Sequence, residues 1–180
     1  MRLYELIRNE ESKEKTIEEE FETSIRLIKD NIDKCLSFDE IVKIGREFND
    51  ELCWSGEYGQ QVYVGEMEDG GVPFEGILYE YKNGKICYYS DHVNGMDSGE
   101  FVRFYDSGKL QSYAIMAFGA SDGGFVEWYE NGKTKKEGFS RYGIRLIELE
   151  YDEDGNLINE RKVTDENRKR YYEWKKKYGD

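Results

Sequence analysis

The sequence predicts an α+β fold, mainly β. An N-terminal helical hairpin precedes an extended antiparallel meander of β-hairpin repeats, and a C-terminal helix closes the chain. Three observations predict this. A 24-residue period runs through the middle of the chain in three gap-free stretches, Phe74 to Lys85, Ser98 to Lys109 and Asp122 to Lys133. Each stretch is rich in β-branched and aromatic residues and ends in a glycine turn. Apolar residues at helical spacing mark both ends of the chain instead. The organisation expected is a helical cap over residues 1–56, a repeat sheet over 57–163 and a helix over 164–180, packed as one compact unit.

The first element is a helix over residues 16–36. Thr16 and Glu19 have capping-box spacing. Ile17, Phe21, Ile25, Ile28 and Ile32 then mark one face, with Cys35 or Leu36 completing it. Glu18, Glu19 and Glu20 crowd the first turn, where the helix dipole favours acids. Ser37 and Glu40 make a second capping box, predicting a helix to about Leu52 with Ile41, Ile44, Phe48 and Leu52 inward. Residues 57–73 read as an irregular first hairpin.

In the repeats, Tyr81, Tyr105 and Tyr129 fall 24 apart, as do Gly84, Gly108 and Gly132, and Lys85, Lys109 and Lys133. Glycine takes positive φ without a Cβ clash, as a tight hairpin requires. Asn94-Gly95 and Ser121-Asp122-Gly123 read as the links between hairpins. A degenerate fourth copy, Leu146 to Asn156, carries Tyr151 and Gly155 with one inserted residue and no lysine. Alternation puts Ile77, Tyr79, Tyr81, Phe101, Arg103, Tyr105, Phe125, Glu127 and Tyr129 on one face. Leu78, Glu80, Val102, Phe104, Val126 and Trp128 take the other. Both faces carry apolar residues, so at least one is expected under helices or a partner. Thr164 opens the last helix, with Tyr171, Trp174 and Tyr178 on its apolar side.

Net charge is −13, divided as −6 over residues 1–56, −9 over 57–163 and +2 over 164–180. This disfavours nucleic acid and anionic membranes as partners, since both need cation clusters. A basic protein is the natural complement, although such acidity also serves solubility. Cys35, Cys53 and Cys87 show no Cys-x-x-Cys spacing and read as reduced thiols of a cytoplasmic protein. The charged N-terminus lacks a signal-peptide apolar stretch, and no run of 18 apolar residues occurs. His92 stands beside Asp91, with no nucleophile in evident reach. No zinc-ligand spacing or phosphate-binding glycine loop is present, and Asp152–Asn156 lacks the glutamate a calcium loop needs. The sequence therefore points to no enzyme, metal or cofactor.

The repeat cores Tyr81-Lys82-Asn83-Gly84-Lys85, Tyr105-Asp106-Ser107-Gly108-Lys109 and Trp128-Tyr129-Glu130-Asn131-Gly132-Lys133 resemble the bacterial branch of the MORN-repeat family. The resemblance covers about residues 74–160. Many proteins of that branch look like antitoxins or immunity proteins of polymorphic toxin systems, including contact-dependent growth inhibition. It implies a protein that binds and neutralises a cognate toxin, here a basic, nuclease-like C-terminal toxin domain, by occluding its active or substrate-binding surface. The alternative is a general MORN-type scaffold. Expected toxin contacts are acids and aromatics on the connecting loops and exposed face: Asp91, Asp97, Glu100, Asp122, Glu127, Tyr105 and Trp128.

Overall fold

The computed structural model describes residues 1–10, 15–55 and 60–178. In chain order it contains helices α1 (Leu3–Glu10), α2 (Ile17–Asp30) and α3 (Phe38–Ile44). Strands β1 (Arg46–Glu47), β2 (Leu52–Ser55), β3 (Gln61–Val64) and β4 (Val72–Pro73) follow. The repeats supply β5 (Gly76–Lys82), β6 (Lys85–Val93), β7 (Met96–Phe104), β8 (Leu110–Ala117), β9 (Ala120–Trp128), β10 (Thr134–Arg141), β11 (Ile144–Tyr151) and β12 (Leu157–Arg161). Helix α4 (Asp165–Tyr178) ends the chain.

The expected meander is present. Strands β5 to β12 pair in sequence order within a nine-stranded sheet, whose far edge is β1, parallel to β5. Strands β2, β3 and β4 form a separate three-stranded sheet, so part of the segment read as a first hairpin pairs outside the main meander, sharing a core with it through Leu78. Residues 57–59 of that segment lie outside the described residues. Both β1 and β2 precede residue 57.

Both capping boxes form. Thr16 Oγ1 accepts from the Glu19 N–H, and Glu19 Oε2 accepts from the Thr16 N–H at 2.8 Å. Ser37 and Glu40 repeat the pattern. The second helix nevertheless ends at Ile44, short of the predicted Leu52. Gly45 turns extended there while its N–H still bonds Ile41 O, which lets the chain pair with β5 as β1. Helix α1 was missed because its apolar stripe, Leu3, Leu6 and Ile7, is short and embedded in charge. Leu3 and Ile7 are fully buried.

Helices α1 and α2 cover one face of the sheet. Directly opposed residues share a face, and the register runs Tyr79, Tyr89, Val102, Tyr113, Val126, Glu137 across six strands of the helix-covered side. This corrects the expected face assignment. Tyr79 and Ile77 side with Val102 and Val126, not with Phe101 and Phe125. The cause is the first turn. Asn83 and Gly84 form a two-residue turn with φ of 54° and 74°, whereas Asp106-Ser107-Gly108 and Glu130-Asn131-Gly132 make longer turns. The bulges in the β5–β6 and β6–β7 ladders recur in the β7–β8 and β8–β9 ladders, so the shorter turn alone sets the phase shift.

The other turns also follow the 24-residue period. Asn94-Gly95, Phe118-Gly119 and Tyr142-Gly143 all have positive φ. The second link is thus Phe118-Gly119, and the predicted Ser121–Gly123 lies inside β9. The repeated side chains are latches between hairpins. Lys85 Nζ donates to Asp106 O (2.6 Å), Lys109 Nζ to Glu130 O (2.8 Å) and Lys133 Nζ to Asp154 O (3.4 Å). Tyr105 and Tyr129 hydroxyls donate to the carbonyls of Trp128 and Tyr151. Each bond ties one turn to the next, which is why the period fixes these residues. In the fourth copy the turn closes on Asp152, whose N–H bonds Asn156 O where Tyr129 N–H bonds Lys133 O. The extra residue therefore fits without loss of the turn.

Phe118 is 73% exposed at φ 50°, a conformation that costs a Cβ-bearing residue about 1–2 kcal/mol and that asparagine tolerates better. Phe118→Asn is expected to raise unfolding free energy by about 0.5–1 kcal/mol, read from urea denaturation; an unchanged or lower midpoint contradicts the strain.

Candidate interaction face

The acids proposed as contacts divide between the two faces of the sheet. On the helix side, Glu100 has a side chain with no solvent exposure. Arg2 reaches it at 2.8 Å and grips Asp91 with two bonds of 2.6 and 2.9 Å. Glu100 also accepts from the Tyr4 N–H and from the Tyr89 hydroxyl (2.9 Å), and Asp91 accepts from the Glu100 N–H. Burial, reinforced by the Glu100 charge, raises the Tyr89 and Tyr113 phenols above their usual range and pushes the Cys35 thiol up to about 12. Cys35 is therefore an inert thiol. Asp122 holds Arg8 at 3.0 Å, Arg141 at 3.5 Å and the Tyr142 N–H at 2.8 Å. Asp91, Glu100 and Asp122 are thus engaged in fixing α1 to the sheet, away from the open face. The period that suggested loop positions gave no sign of this, because the partners Arg2 and Arg8 lie about 90 to 114 residues away.

Among the described residues, the opposite face is covered at its start. The small sheet packs there through Leu52, Val62, Phe74 and Leu78. Beyond Trp54, three adjoining hollows of about 250, 530 and 220 Å³ all include Arg103 in their walls. Asp97 lines the first, Tyr105 the second and third, and Glu127 and Trp128 the third. The structure therefore gathers three of the seven proposed residues, Asp97, Tyr105 and Glu127, along one recess, while Trp128 edges its wall but shares the face of Val126 and packs against the helix-side core. It also adds residues the sequence reading passed over. Tyr88 stacks on Phe101 (5.7 Å between centroids, 11° between planes), and the Arg103 guanidinium lies 5.1 Å from the Phe101 ring. Register against Arg103 was the signal that would have found Tyr88, and it is not readable from the 24-residue period because Tyr88 lies on the second strand of its hairpin.

His92 lies buried at this end, 3.5 Å from Asp97 and edge-on to Phe74. Burial holds its pKa below the usual value, against the opposing pull of Asp97. Among the described residues there is no cluster suited to a metal ion and no helix long and apolar enough to cross a membrane.

Two predictions follow from these contacts. Arg2→Ala strands the buried Glu100 charge and is expected to cost about 3–5 kcal/mol of stability; a loss below about 1 kcal/mol contradicts the clamp. Burial favours the neutral form of His92 in the folded chain, and the ring protonates more readily when unfolded, so its contribution is complete above about pH 6.5 and declines as pH falls. Urea midpoints at about pH 7.5 and about pH 5.5 should drop more for the native chain than for His92→Gln. Equal drops would remove His92 as the cause.

Compared with known proteins, the chain is 45% identical over 120 residues to the immunity protein YwqK of Bacillus subtilis strain 168. The match spans 66% of this chain and 77% of that protein. No family model matches the chain. No solved structure matches it either. With that identity over that share of both chains, the protein belongs to the family of the immunity protein YwqK.

Proposed function

We propose that this protein is an immunity protein of the MORN-like type that binds a cognate toxin and neutralises it by steric occlusion in the cytoplasm. Kinship with YwqK carries the immunity role. The open sheet face supports binding as the means. It is broad, aromatic and shallowly hollowed, which suits a protein partner better than a small substrate. The protein acts in this reading by binding and not by turnover. The toxin is a basic, nuclease-like domain, matched to a chain of net charge −13.

Asp97, Tyr105 and Glu127 are the contact residues this reading retains, and Trp128 supports the strand that carries Glu127 from the helix side. Asp91, Glu100 and Asp122 serve it indirectly, by holding the helices on the other face.

Co-expression with the C-terminal region of the product of the adjacent upstream gene tests the proposal. That region alone is expected to arrest growth, and this protein to restore growth and co-purify in a stable complex. Arrest without rescue, or rescue without a complex, contradicts neutralisation by binding.

A further inference from the structure

The open face carries a charge pattern that specifies its partner more closely. Its register places Glu80, Tyr88, Arg103, Ser112, Glu127 and Lys136 in one row across six strands. Arg103 is exposed, stands on the Phe101 ring and makes no ion pair among the described residues. Glu80 and Glu127 sit two strands away on either side. At strand spacing that is about 10 Å, too far to neutralise the guanidinium directly. Asp106 and Glu130 line the same recess at its turn end. Lys82 and Lys135 lie at its margins, the latter with its ammonium 5.8 Å from the Tyr129 ring. The result is a guanidinium on an aromatic shelf with five carboxylates, Glu80, Asp97, Asp106, Glu127 and Glu130, in the walls of its recess.

Such a pattern has a definite complement. The guanidinium offers a rigid fork of N–H donors that suits a carboxylate. The surrounding acids suit lysines and arginines. Resting on the deepening reading of an immunity protein given above, we infer that the Arg103 recess docks a toxin surface of inverse pattern, an acidic group encircled by basic residues. A cleft that grips phosphates with cations and performs chemistry with a carboxylate has this arrangement. Arg103 would pair with the acid while Glu80, Asp106, Glu127 and Glu130 engage the surrounding cations. The same pattern disfavours other occupants. Nucleic acid phosphates would meet the surrounding carboxylates, and a second copy of this chain would bring Arg103 against a like arrangement. Arginine and aromatic residues at the centre of a recess are also the composition of binding hot spots.

The test uses the full-length protein and the C-terminal domain of the upstream gene product, with binding measured by calorimetry. Arg103→Glu is expected to weaken binding about 100-fold or more, and Glu127→Lys and Glu130→Lys about 10-fold each, with the latter losses shrinking as salt rises. Lys169→Glu, on α4 and away from the recess, should change affinity less than about two-fold. Circular dichroism and urea midpoints confirm that each exposed-site variant folds. Substitution of one toxin Asp or Glu by Lys should restore part of the affinity lost in Arg103→Glu. Native affinity in Arg103→Glu, or tighter binding on rim reversal, overturns the inference while leaving the immunity reading in place. If the unaltered protein neither binds nor rescues, both fall together.

Discussion

A single buried carboxylate organises this molecule. Glu100 lies beneath the first helix with no solvent exposure, and an unpaired charge there would cost several kcal/mol. It is tolerated because Arg2, the Tyr4 N–H and the Tyr89 hydroxyl converge on it. This geometry requires α1 to lie across β6 and β7, and its apolar residues Leu3 and Ile7 enter the main core beside Ile28 and Tyr113. Equivalent clamps repeat along the array. Arg8 is held by Asp122, Lys29 by Glu137, and Lys175 by Glu20 at 2.8 Å. The helices are thereby assigned to one face, and among the described residues the recess on the other stays open.

The acidity of the chain then has two physical meanings. One set of acids is structural, set beneath the helices and matched to specific cations. The other borders the open recess, where Glu80, Asp106 and Glu130 are exposed. The two sets look alike in composition. Only the sheet register and burial distinguish them.

The repeat was legible because it is a latch. Lysine and tyrosine recur at 24-residue spacing since each bonds the backbone of the next turn, and glycine recurs because the turns need positive φ. The capping boxes were legible for the same local reason. What escaped the sequence was non-local or a matter of phase. The Arg2 partnership spans most of a hundred residues, and Glu100 therefore read as a surface acid. The Asn83-Gly84 turn is two residues long where its counterparts are longer, so the first strand fell one residue out of step with the repeat. That slip moved Tyr79 to the helix side and hid the row joining Glu80, Tyr88 and Arg103. Asp97, Tyr105 and Glu127 reached the open recess because β7 and β9 stay in phase with each other, which also sends Trp128 to the helix side.

In this account the helices secure one face so that the other can recognise a toxin. Hydroxyl-radical footprinting of the protein with and without the upstream toxin domain tests that division most directly, since the aromatic side chains that distinguish the faces are the ones most readily labelled. The account predicts that labelling of Trp54, Tyr88, Phe101 and Tyr105 falls on binding, while Tyr172, Trp174 and Tyr178 of α4 are unchanged. Protection of the α4 aromatics with the recess still labelled would contradict it.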